Sequence, residues 1–402
     1  MRKKKQHIQR IGLVLSAVPG YSETFFRNKI AGLQAQGFEV VLFVTDQSGS
    51  IPDAFGCTVI SAASFKGSFW RVLIISVWTL IKAFLFTPIR SYKHVKLDVA
   101  DNFTLKQSLK RLIQNAFLFS QNVTWLHFGF GMLAVGRENV AAAIAAQMAV
   151  SFRGFDLYLS PLKHPNCYKL LFKKEVRYHV LSNEMKQDLV SEGVLESAIY
   201  VITPAIDVSF FKSNTNQLTR ELQSKIQLIT VARLHWIKGL EYTLQAMAEL
   251  KKADISFHYT IIGTGEERER LMFAAYQLDV LDQVSFAGRL EPVAVREQLK
   301  VSDIYIQYSI QEGFGNAVLE AQALGVLCVV SDADGLQENV LHEKTGWVVP
   351  KRQPKFLAAQ IKELIKLTPQ EKELIRGRAV TRVQRNFNLD KQQDEFVAFY
   401  EV

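Results

Sequence analysis

The chain has 402 residues, of which 48% are hydrophobic and 22% are charged, so its composition is that of a globular protein and excludes a disordered or fibrous one. This length exceeds what one hydrophobic core usually supports, and two domains are expected. Three scattered cysteines without metal-ligand spacing argue against a disulfide framework and a zinc site, and they favour a reducing, cytoplasmic compartment.

The net charge of +9 is concentrated in the first half of the chain. Residues 1–203 carry 24 Lys and Arg against 13 Asp and Glu, whereas the remainder carries 24 against 26. Such an asymmetry suits nucleic acid or an anionic membrane surface. Because the sequence contains no nucleic-acid-binding motif, we expect peripheral contact with an anionic membrane through the basic N-terminal half and no nucleic-acid partner.

The first half alternates between short apolar runs and helical patterns. Strands are predicted at Ile11–Ser16, Val40–Thr45, Val59–Ile60, Trp125–His127, Ala149–Phe152, Arg177–Leu181 and Ile199–Ile202. Helices are predicted at about 23–36, capped by Ser22, and at 70–87, 105–119, 140–148 and 182–191. The first apolar run follows a basic segment, as in a secretory signal, but a helix and a second strand follow at once. We therefore interpret it as a buried strand.

The segment Phe69–Pro88 allows two interpretations. It is rich in Val, Ile, Leu, Phe and Trp, but Arg71 and Lys82 interrupt it, so a transmembrane span is not favoured. It is either a buried or amphipathic helix of the fold, or a helix that lies in the membrane interface with Trp70 and Trp78 near the headgroups.

A second alternating series begins after the polar stretch Lys212–Lys225, which suits a linker. Strands are predicted at Leu228–Ala232, His258–Ile262, Val284–Phe286, Ile304–Gln307 and Val326–Val330, with helices at Leu240–Lys251, Glu266–Leu278 and Ala317–Leu324. This alternation predicts an α/β protein with two doubly wound, Rossmann-like domains. We expect an N-terminal acceptor domain at 1–205, a C-terminal donor domain at 213–385, and a final helix in 386–402 that packs back on the N-terminal domain.

The segment Glu312–Glu320 carries the most informative pattern, because a glycine-rich turn joins a predicted strand to a helix. Gly313 and Gly315 let the backbone approach a ligand, and the amides of Asn316 and Ala317 at the helix start favour a diphosphate. The glutamates at both ends of the segment can border the same pocket, where they would accept hydrogen bonds from sugar hydroxyls. The alternative is a pair of surface glutamates beside a helix cap.

Two cations follow the first strand of the second series. Arg233 and Lys238 lie in the loop at its carboxyl end, where they can bind a diphosphate and stabilise the charge that develops on it as a leaving group. The alternative is two solvated surface cations. Gly263-x-Gly265 also lies between a strand and a helix, but position 268 is Arg and the third glycine of a dinucleotide-binding motif is missing. We interpret it as a tight turn beside a nucleotide pocket.

The order of these motifs resembles the retaining glycosyltransferases of family 4, which have the GT-B fold. Gly335-Leu-Gln-Glu338 and Thr345–Pro350 continue the resemblance, which is specific over about residues 228–350. The segment Gly20–Phe25 is similar to the start of bacterial exopolysaccharide transferases of the colanic-acid type. The resemblance implies two domains facing each other across a cleft, a nucleoside-diphosphate sugar as the donor and a glycan or lipid-linked acceptor.

The resemblance also implies roles for individual residues. Glu312 would contact the donor sugar, Glu320 the ribose, and Arg233 and Lys238 the diphosphate. The complete set of donor-binding residues expected is Gly20, Arg233, Lys238, Gly263, Gly265, Arg289, Glu312, Gly313, Phe314, Gly315, Asn316, Ala317 and Glu320. His127 resembles the family histidine near the reacting carbon, although a lone histidine is more often structural. The catalytic candidates are His127, Arg233, Lys238 and Glu312.

The acceptor-side candidates are Ser22, Glu23, Arg153 and Asp156. Many relatives have His-Gly-x-Asp where this chain has Arg153-Gly-Phe-Asp156, so Arg153 either binds an anionic acceptor or pairs with Asp156. Asp332-Ala-Asp334 matches a metal-binding Asp-x-Asp of another glycosyltransferase architecture, but the corresponding loop is metal-free in the resembling family. No metal and no cofactor are expected.

The sequence therefore predicts a retaining glycosyltransferase that moves a sugar from a nucleoside diphosphate to an acceptor hydroxyl in cell-surface or exopolysaccharide synthesis. No residue is suitably placed as a nucleophile, and the family favours same-face attack. The enzyme is expected in the cytoplasm, peripherally on the inner face of the plasma membrane. Two alternatives stay open: a nucleotide-sugar epimerase, and a non-catalytic nucleotide-sugar-binding component of an envelope assembly complex.

Overall fold

A computed structural model of the chain describes residues 9–19, 24–46, 55–213 and 225–401. The chain forms two compact units. The first comprises Met1–Val180, Lys186–Ile202 and Gln393–Val402, and the second comprises Leu181–Met185 and Thr203–Gln392. Each unit has one parallel sheet, so the predicted α/β class with two parallel sheets is confirmed.

The first sheet has seven parallel strands in the order β3-β2-β1-β4-β5-β6-β7. Its strands are β1 (Arg10–Leu15), β2 (Glu39–Val44), β3 (Thr58–Ser61), β4 (Trp125–Phe128), β5 (Gln147–Ser151), β6 (Arg177–Val180) and β7 (Ile199–Val201). Strands β1, β2 and β4 are nearly continuous runs of buried residues, as expected when helices cover both faces of a parallel sheet, whereas β3 at the edge is only half-buried.

The second sheet has six strands in the order β10-β9-β8-β11-β12-β13. They are β8 (Ile226–Val231), β9 (Phe257–Ile262), β10 (Val284–Gly288), β11 (Ile304–Gln307), β12 (Leu327–Ser331) and β13 (Trp347–Val349). The strand order reverses between β8 and β11, which pair in parallel. In doubly wound sheets ligands bind at such a reversal, beyond the carboxyl ends of the two strands.

Sixteen α-helices lie within the described ranges. They are α1 (Thr24–Ala35), α2 (Phe69–Phe86), α3 (Pro88–Ala100), α4 (Leu105–Asn115), α5 (Gly131–Ala134), α6 (Val140–Ala143), α7 (Ser160–Lys163), α8 (Asn183–Ser191), α9 (Leu240–Lys251), α10 (Arg268–Gln277), α11 (Pro292–Val301), α12 (Asn316–Ala323), α13 (Leu336–Asn339), α14 (Pro354–Lys366), α15 (Pro369–Asn386) and α16 (Leu389–Tyr400). Of these, α2 is long and apolar enough to cross a membrane, judged by length and composition alone.

Several predicted elements differ from the observed ones. The helix predicted at 140–148 ends at Ala143, because Ala145 adopts a left-handed conformation with φ of 58° and the chain then enters β5. The helix predicted at 105–119 ends at Asn115 and continues as a tighter turn, Ala116–Phe119. The sequence patterns did not predict β13, α3, α11, α14 or α15, nor the four-residue helices α5, α7 and α13. The predicted linker lies mostly outside the described residues.

Candidate active site

The carboxyl ends of β8 and β11 bring two of the predicted catalytic residues into contact. The loop after β8 forms a short helical turn, Trp236–Lys238, and the Lys238 ammonium donates a short hydrogen bond to Oε2 of Glu312 in the loop after β11. The two side chains are only 18% and 14% exposed, so their attraction is screened less by water than that of a surface pair.

The Glu312 carboxylate is held by further donors. Its Oε2 accepts from Gln307 Nε2 at 3.3 Å and from Ser309 Oγ at 3.2 Å. The backbone amide of Glu312 donates to Asp334 Oδ2 at 3.2 Å. The patterns in the sequence missed Gln307 and Ser309. Their signal is that they are buried polar residues at the end of an apolar strand.

The two loops pack directly on each other at Gly239. This residue has a φ of 63°, and a Cβ added to it would overlap the carbonyl oxygen of Tyr308. Next to it the amide of Ile310 donates to the carbonyl of Ile237 at 2.8 Å. Since a larger residue would force the loops apart, the contact between Lys238 and Glu312 depends on this close backbone approach.

The start of α12 lies directly after this loop. Gly315 precedes the helix with a φ of 88°, and Asn316 and Ala317 are its first residues. Nδ2 of Asn339 donates to the carbonyls of Phe314 at 2.8 Å and of Gly315 at 3.0 Å, which fixes the turn. The amides of the first turn therefore have a defined direction, as the predicted diphosphate site requires.

Phe314 and Gly313 belong to the same turn, but the first packs through its side chain and the second through its backbone. The Phe314 ring is buried and packs at 5.4 Å from the Phe387 ring, measured between centroids, so its side chain belongs to the core. Gly313 is buried, and its backbone passes close to Gly335. Donor contacts of these two residues stay a prediction, and for Phe314 they would involve the backbone.

Glu320 lies one turn inside α12. Burial raises the pKa of its carboxyl to about 7. Burying the ionised carboxylate without hydrogen-bond donors is unfavourable in free energy. Hydroxyl groups of a ligand would donate to it and reduce this desolvation penalty. This property fits the predicted contact with a ribose, which stays a prediction.

Arg233 and the glycine turn lie side by side after β8 and β9. A Cβ at Gly263 would overlap the carbonyl oxygen of Ala232, and the amide of Leu234 donates to the carbonyl of Thr264 at 2.9 Å. Gly265 contacts the same backbone at Leu234. The Arg233 side chain is exposed, and no ion pair joins it to the part of the chain that the structure describes. It is thus available to a ligand.

Arg289 follows the end of β10 directly and is exposed. Gly288 before it has a φ of 71°, and its carbonyl accepts from the amide of Gly263 at 2.8 Å. The turn before Arg289 is thereby tied to the turn after β9. The resemblance to family 4 also implies that this turn contacts the nucleotide base, and this contact stays a prediction.

Asp332 and Asp334 do not converge on one point. Asp332 Oδ1 accepts from the amide of Lys351 at 2.9 Å, whereas Asp334 accepts from the amide of Glu312. Each carboxylate is occupied by a backbone amide of a different loop. Among the described residues, no group of three or more His, Cys, Asp or Glu side chains could hold a metal ion.

His127 lies on β4 in the core of the first unit, with no exposed surface. Its Nε2 lies 2.8 Å from Ser151 Oγ, and its Nδ1 faces the Tyr400 hydroxyl and, at 3.3 Å, Lys29 Nζ. Burial lowers the pKa of the imidazole well below its ordinary value, and the Lys29 charge lowers it further. In this conformation both ring nitrogens face protein groups, so the predicted position near the reacting carbon stays a prediction.

His127 belongs to a continuous chain of buried hydrogen bonds. His179 Nε2 lies 3.0 Å from the carbonyl of Ile202, an acceptor only, so Nε2 carries the proton and Nδ1 accepts. Ser151 Oγ, 2.7 Å from that Nδ1, then donates to it and accepts from Nε2 of His127. Sequence reasoning missed Ser151, His179 and Lys29. The feature of the sequence that could have revealed each of them is a polar residue among the buried apolar residues of its strand or helix face.

Arg153 and Asp156 follow β5. The Arg153 guanidinium carbon lies 3.9 Å from the centroid of the Phe25 ring, while its backbone amide donates to Asp156 Oδ2 at 3.2 Å. Burial raises the pKa of the Asp156 carboxyl to about 6, against the opposing effect of the amides of Met132 and Arg153. The other predicted residues of this unit, Gly20, Ser22 and Glu23, lie outside the described residues.

The loops of the second sheet described above lie within a region of the chain that matches a known protein family. Residues 213–379 match the family model described as glycosyl transferases group 1. WcaL of Salmonella typhimurium, named as a colanic acid biosynthesis glycosyltransferase, is 29% identical over 67% of this chain and 68% of its own. The amylovoran biosynthesis glycosyltransferase AmsK of Erwinia amylovora is 26% identical over 60% of each chain.

Solved structures resemble the chain over nearly its full length. Sucrose-phosphate synthase from Thermosynechococcus elongatus aligns with a TM-score of 0.72 at 17% identity, covering 98% of both chains. The Anabaena protein HepE, solved in complex with UDP and glucose, aligns with a TM-score of 0.70 at 14% identity, covering 97% of this chain and 99% of that one. At these identities the likeness shows the fold, which is GT-B-like.

Proposed function

Because this chain belongs to the group 1 glycosyltransferases, the retaining family 4 with the GT-B fold, we propose that it transfers a sugar from a nucleoside diphosphate to a lipid-linked glycan intermediate. The relatives WcaL and AmsK, named for colanic acid and amylovoran biosynthesis, support a role in cell-surface or exopolysaccharide synthesis. HepE, whose solved complex contains UDP and glucose, supports a nucleotide-sugar donor.

The observation that carries the proposal is the partly buried contact between Lys238 and Glu312 at the reversal of strand order in the second sheet. Lys has three N–H donors, so Lys238 can keep Glu312 and also donate to a phosphate oxygen. The amides at the start of α12 follow Glu312 in the same loop. A diphosphate bound there would meet a cation and oriented amides together.

These groups suit a leaving group that gains negative charge. As the bond between the sugar and the diphosphate breaks, Lys238 and Arg233 stabilise the developing charge more than the ground state. Glu312, already oriented by Gln307 and Ser309, accepts hydrogen bonds from hydroxyls of the donor sugar. We propose that attack comes from the face of the departing diphosphate, which helps to accept the acceptor proton.

Substitution of Glu312 tests the proposal. Glu312→Gln keeps the size of the side chain but removes the charge that pairs with Lys238 and orients the sugar. We expect the rate of sugar transfer to fall about 100-fold or more, corresponding to about 2.7 kcal/mol or more. UDP affinity, measured by isothermal titration, should change less than about threefold, because the diphosphate contacts remain.

Glu363→Gln is the matched control, because Glu363 is an exposed glutamate of α14 whose partner is Lys366. Its transfer rate should equal that of the unmodified enzyme. A panel of UDP- and GDP-sugars serves as donors. The formation of UDP or GDP is measured with and without EDTA. Transfer should persist in EDTA, since Lys238 and Arg233 supply the positive charge. An unimpaired Glu312→Gln variant contradicts the role of Glu312, and epimer formation without an acceptor contradicts the proposed reaction.

The basic first half of the chain supports a proposal for the location and the acceptor. We propose that the enzyme works in the cytoplasm, peripherally on the inner face of the plasma membrane, where a lipid-linked acceptor would be available. Residues 61–120 hold nine basic and two acidic residues, which supports contact with anionic lipid.

A further inference from the structure

Helix α2 presents an apolar face to solvent. Of its 18 residues only Ala83 is buried. Phe69, Trp70, Ile74 and Leu85 each keep about two thirds or more of their surface exposed. Soluble proteins rarely expose a contiguous apolar surface of this extent unless it binds a partner or a membrane.

The apolar face continues around the turn into α3. Phe86 and Ile89, on either side of that turn, are 73% and 70% exposed, and Tyr92 is 64% exposed. Two side-chain hydrogen bonds stabilise the turn, because Thr87 Oγ1 and Ser91 Oγ both donate to the carbonyl of Ala83 at 2.9 Å. The exposed apolar residues of α2 and α3, on the two sides of this hydrogen-bonded corner, are called the apolar ridge.

Within the stretch 61–120, which contains the ridge, the exposed charged side chains are all basic. They are Lys66, Arg71, Lys82, Lys93, Lys96, Lys106 and Lys110. The two acidic residues of the stretch 61–120 face inward. Asp98 is fully buried against Arg111, and Asp101 is paired with Lys174. An apolar surface whose exposed charged neighbours along the chain are basic complements an anionic bilayer, in which apolar side chains enter the acyl region and cations meet phosphates.

The arrangement along α2 matches a helix parallel to a membrane surface. Arg71 and Lys82 are about three turns apart and therefore lie on nearly the same side of the helix. Lys82 Nζ lies 5.2 Å from the centroid of the Trp78 ring on that side. An indole beside a long basic side chain is typical of the interfacial zone, where the cation extends toward the headgroups.

The side of α2 opposite its exposed apolar residues is packed against α3 and α4. Val72, Ile75 and Thr79 on that side are half-buried. A helix that spans a bilayer would have to leave this packing, whereas a helix lying in the interface keeps it. We infer that the apolar ridge is a monotopic membrane-binding surface whose ligand is the anionic phospholipid interface. This inference specifies the membrane contact in the proposed function.

Two exposed tryptophans provide the test. In the double variant Trp70→Ser, Trp78→Ser the two indoles, 70% and 56% exposed, are removed without disturbing the core. The matched control is Phe273→Ser, Tyr276→Ser, which removes two rings of α10 that are 60% and 66% exposed. Binding is measured by sedimentation with phosphatidylcholine vesicles, with and without phosphatidylglycerol.

The unmodified protein should bind the vesicles that contain phosphatidylglycerol, and brominated lipids should quench its tryptophan fluorescence. The tryptophan variant should bind at least about tenfold more weakly, corresponding to about 1.4 kcal/mol. The control should bind like the unmodified protein. UDP affinity and the melting temperature should be equal in all three proteins, which separates this inference from the proposed catalytic function.

Two results would overturn the inference. In the first, the tryptophan variant binds vesicles as tightly as the unmodified protein does. In the second, the unmodified protein binds neither kind of vesicle. Sedimentation velocity without lipid tests the other occupant, a second copy of the chain. A dimer that dissociates in the tryptophan variant would assign the ridge to self-association. In membranes from expressing cells, alkaline carbonate should release the protein, and retention would instead indicate a spanning helix.

Discussion

Glu320 allows a quantitative test of the donor site, because its environment opposes its charge. Burial raises the pKa of this carboxyl from an ordinary value of 4.5 to about 7. The folded protein therefore binds a proton between these pH values that the unfolded chain has released. It follows that the free energy of unfolding decreases as pH rises through this range. Glu320→Gln removes the effect, since the amide does not ionise.

The magnitude follows from the difference between the two pKa values. One pKa unit corresponds to about 1.4 kcal/mol, so the difference of about 2.5 sets an upper limit of about 3.4 kcal/mol. Glu320 keeps some contact with solvent, which screens its charge, so about 1 to 3 kcal/mol is expected. The variant should be more stable than the unmodified protein by that amount at pH 8, with a smaller difference at pH 5.

Urea denaturation of both proteins at pH 5, 6, 7 and 8 measures this difference, with Glu363→Gln as the exposed control. The same titration series tests the predicted role in binding. UDP affinity of the unmodified protein should rise with pH through about 7, because only the carboxylate accepts from both ribose hydroxyls. The variant should bind UDP more weakly and without this pH dependence. A stability difference that is constant with pH would refute the reasoning.

Two further predictions concern packing and buried hydrogen bonds. Gly263→Ala should lower the free energy of unfolding by about 3 kcal/mol or more in urea denaturation, because its Cβ would overlap a carbonyl oxygen. Gly377→Ala, in a helix with open space around the position, should raise it by about 0.5–1 kcal/mol. Ser151→Ala should lower it by about 1–3 kcal/mol, because it leaves nitrogens of His127 and His179 without partners. Equal stability of Ser151→Ala and the unmodified protein would contradict the hydrogen-bonded chain, and greater destabilisation by Gly377→Ala than by Gly263→Ala would contradict the packing argument.

The sequence predicted most strands because parallel strands covered on both faces are continuous apolar runs. Ile304–Gln307 was predicted with its observed bounds. Helix α3 was missed because its inward face carries Ser91, His94 and Asp98, all fully buried, so it shows no apolar periodicity. Helix α15 buries Lys372 and Arg376 among four apolar residues, which weakens its apolar periodicity. Hydrophobic patterns do not reveal a helix whose buried face is polar.

Lys238 and Glu312 were both predicted as donor-site residues, but from separate motifs and with separate roles. Their contact depends on the parallel pairing of β8 with β11, which joins residues 74 positions apart. Spacing within one motif carries no information about such pairing. The buried chain through Ser151 has the same origin, because it connects side chains of β4, β5 and β6 across the sheet.

The donor-site motifs are readable for a physical reason. The loops after β8, β9 and β11 are locked by contacts between backbones, at Gly239 against Tyr308 and at Gly263 against Ala232. Such contacts leave room only for glycine, so the positions of these glycines in the sequence reveal where the loops pack closely. Loops held in this way cannot adapt around a substrate at little cost, and their charged groups are oriented before it binds. Electrostatic stabilisation of a leaving diphosphate benefits most from this preorganisation, because the site needs no rearrangement as the charge develops. In the proposed reaction, the rigid framework of glycine contacts would hold Lys238 and Glu312 in place for catalysis, as well as stabilising the fold.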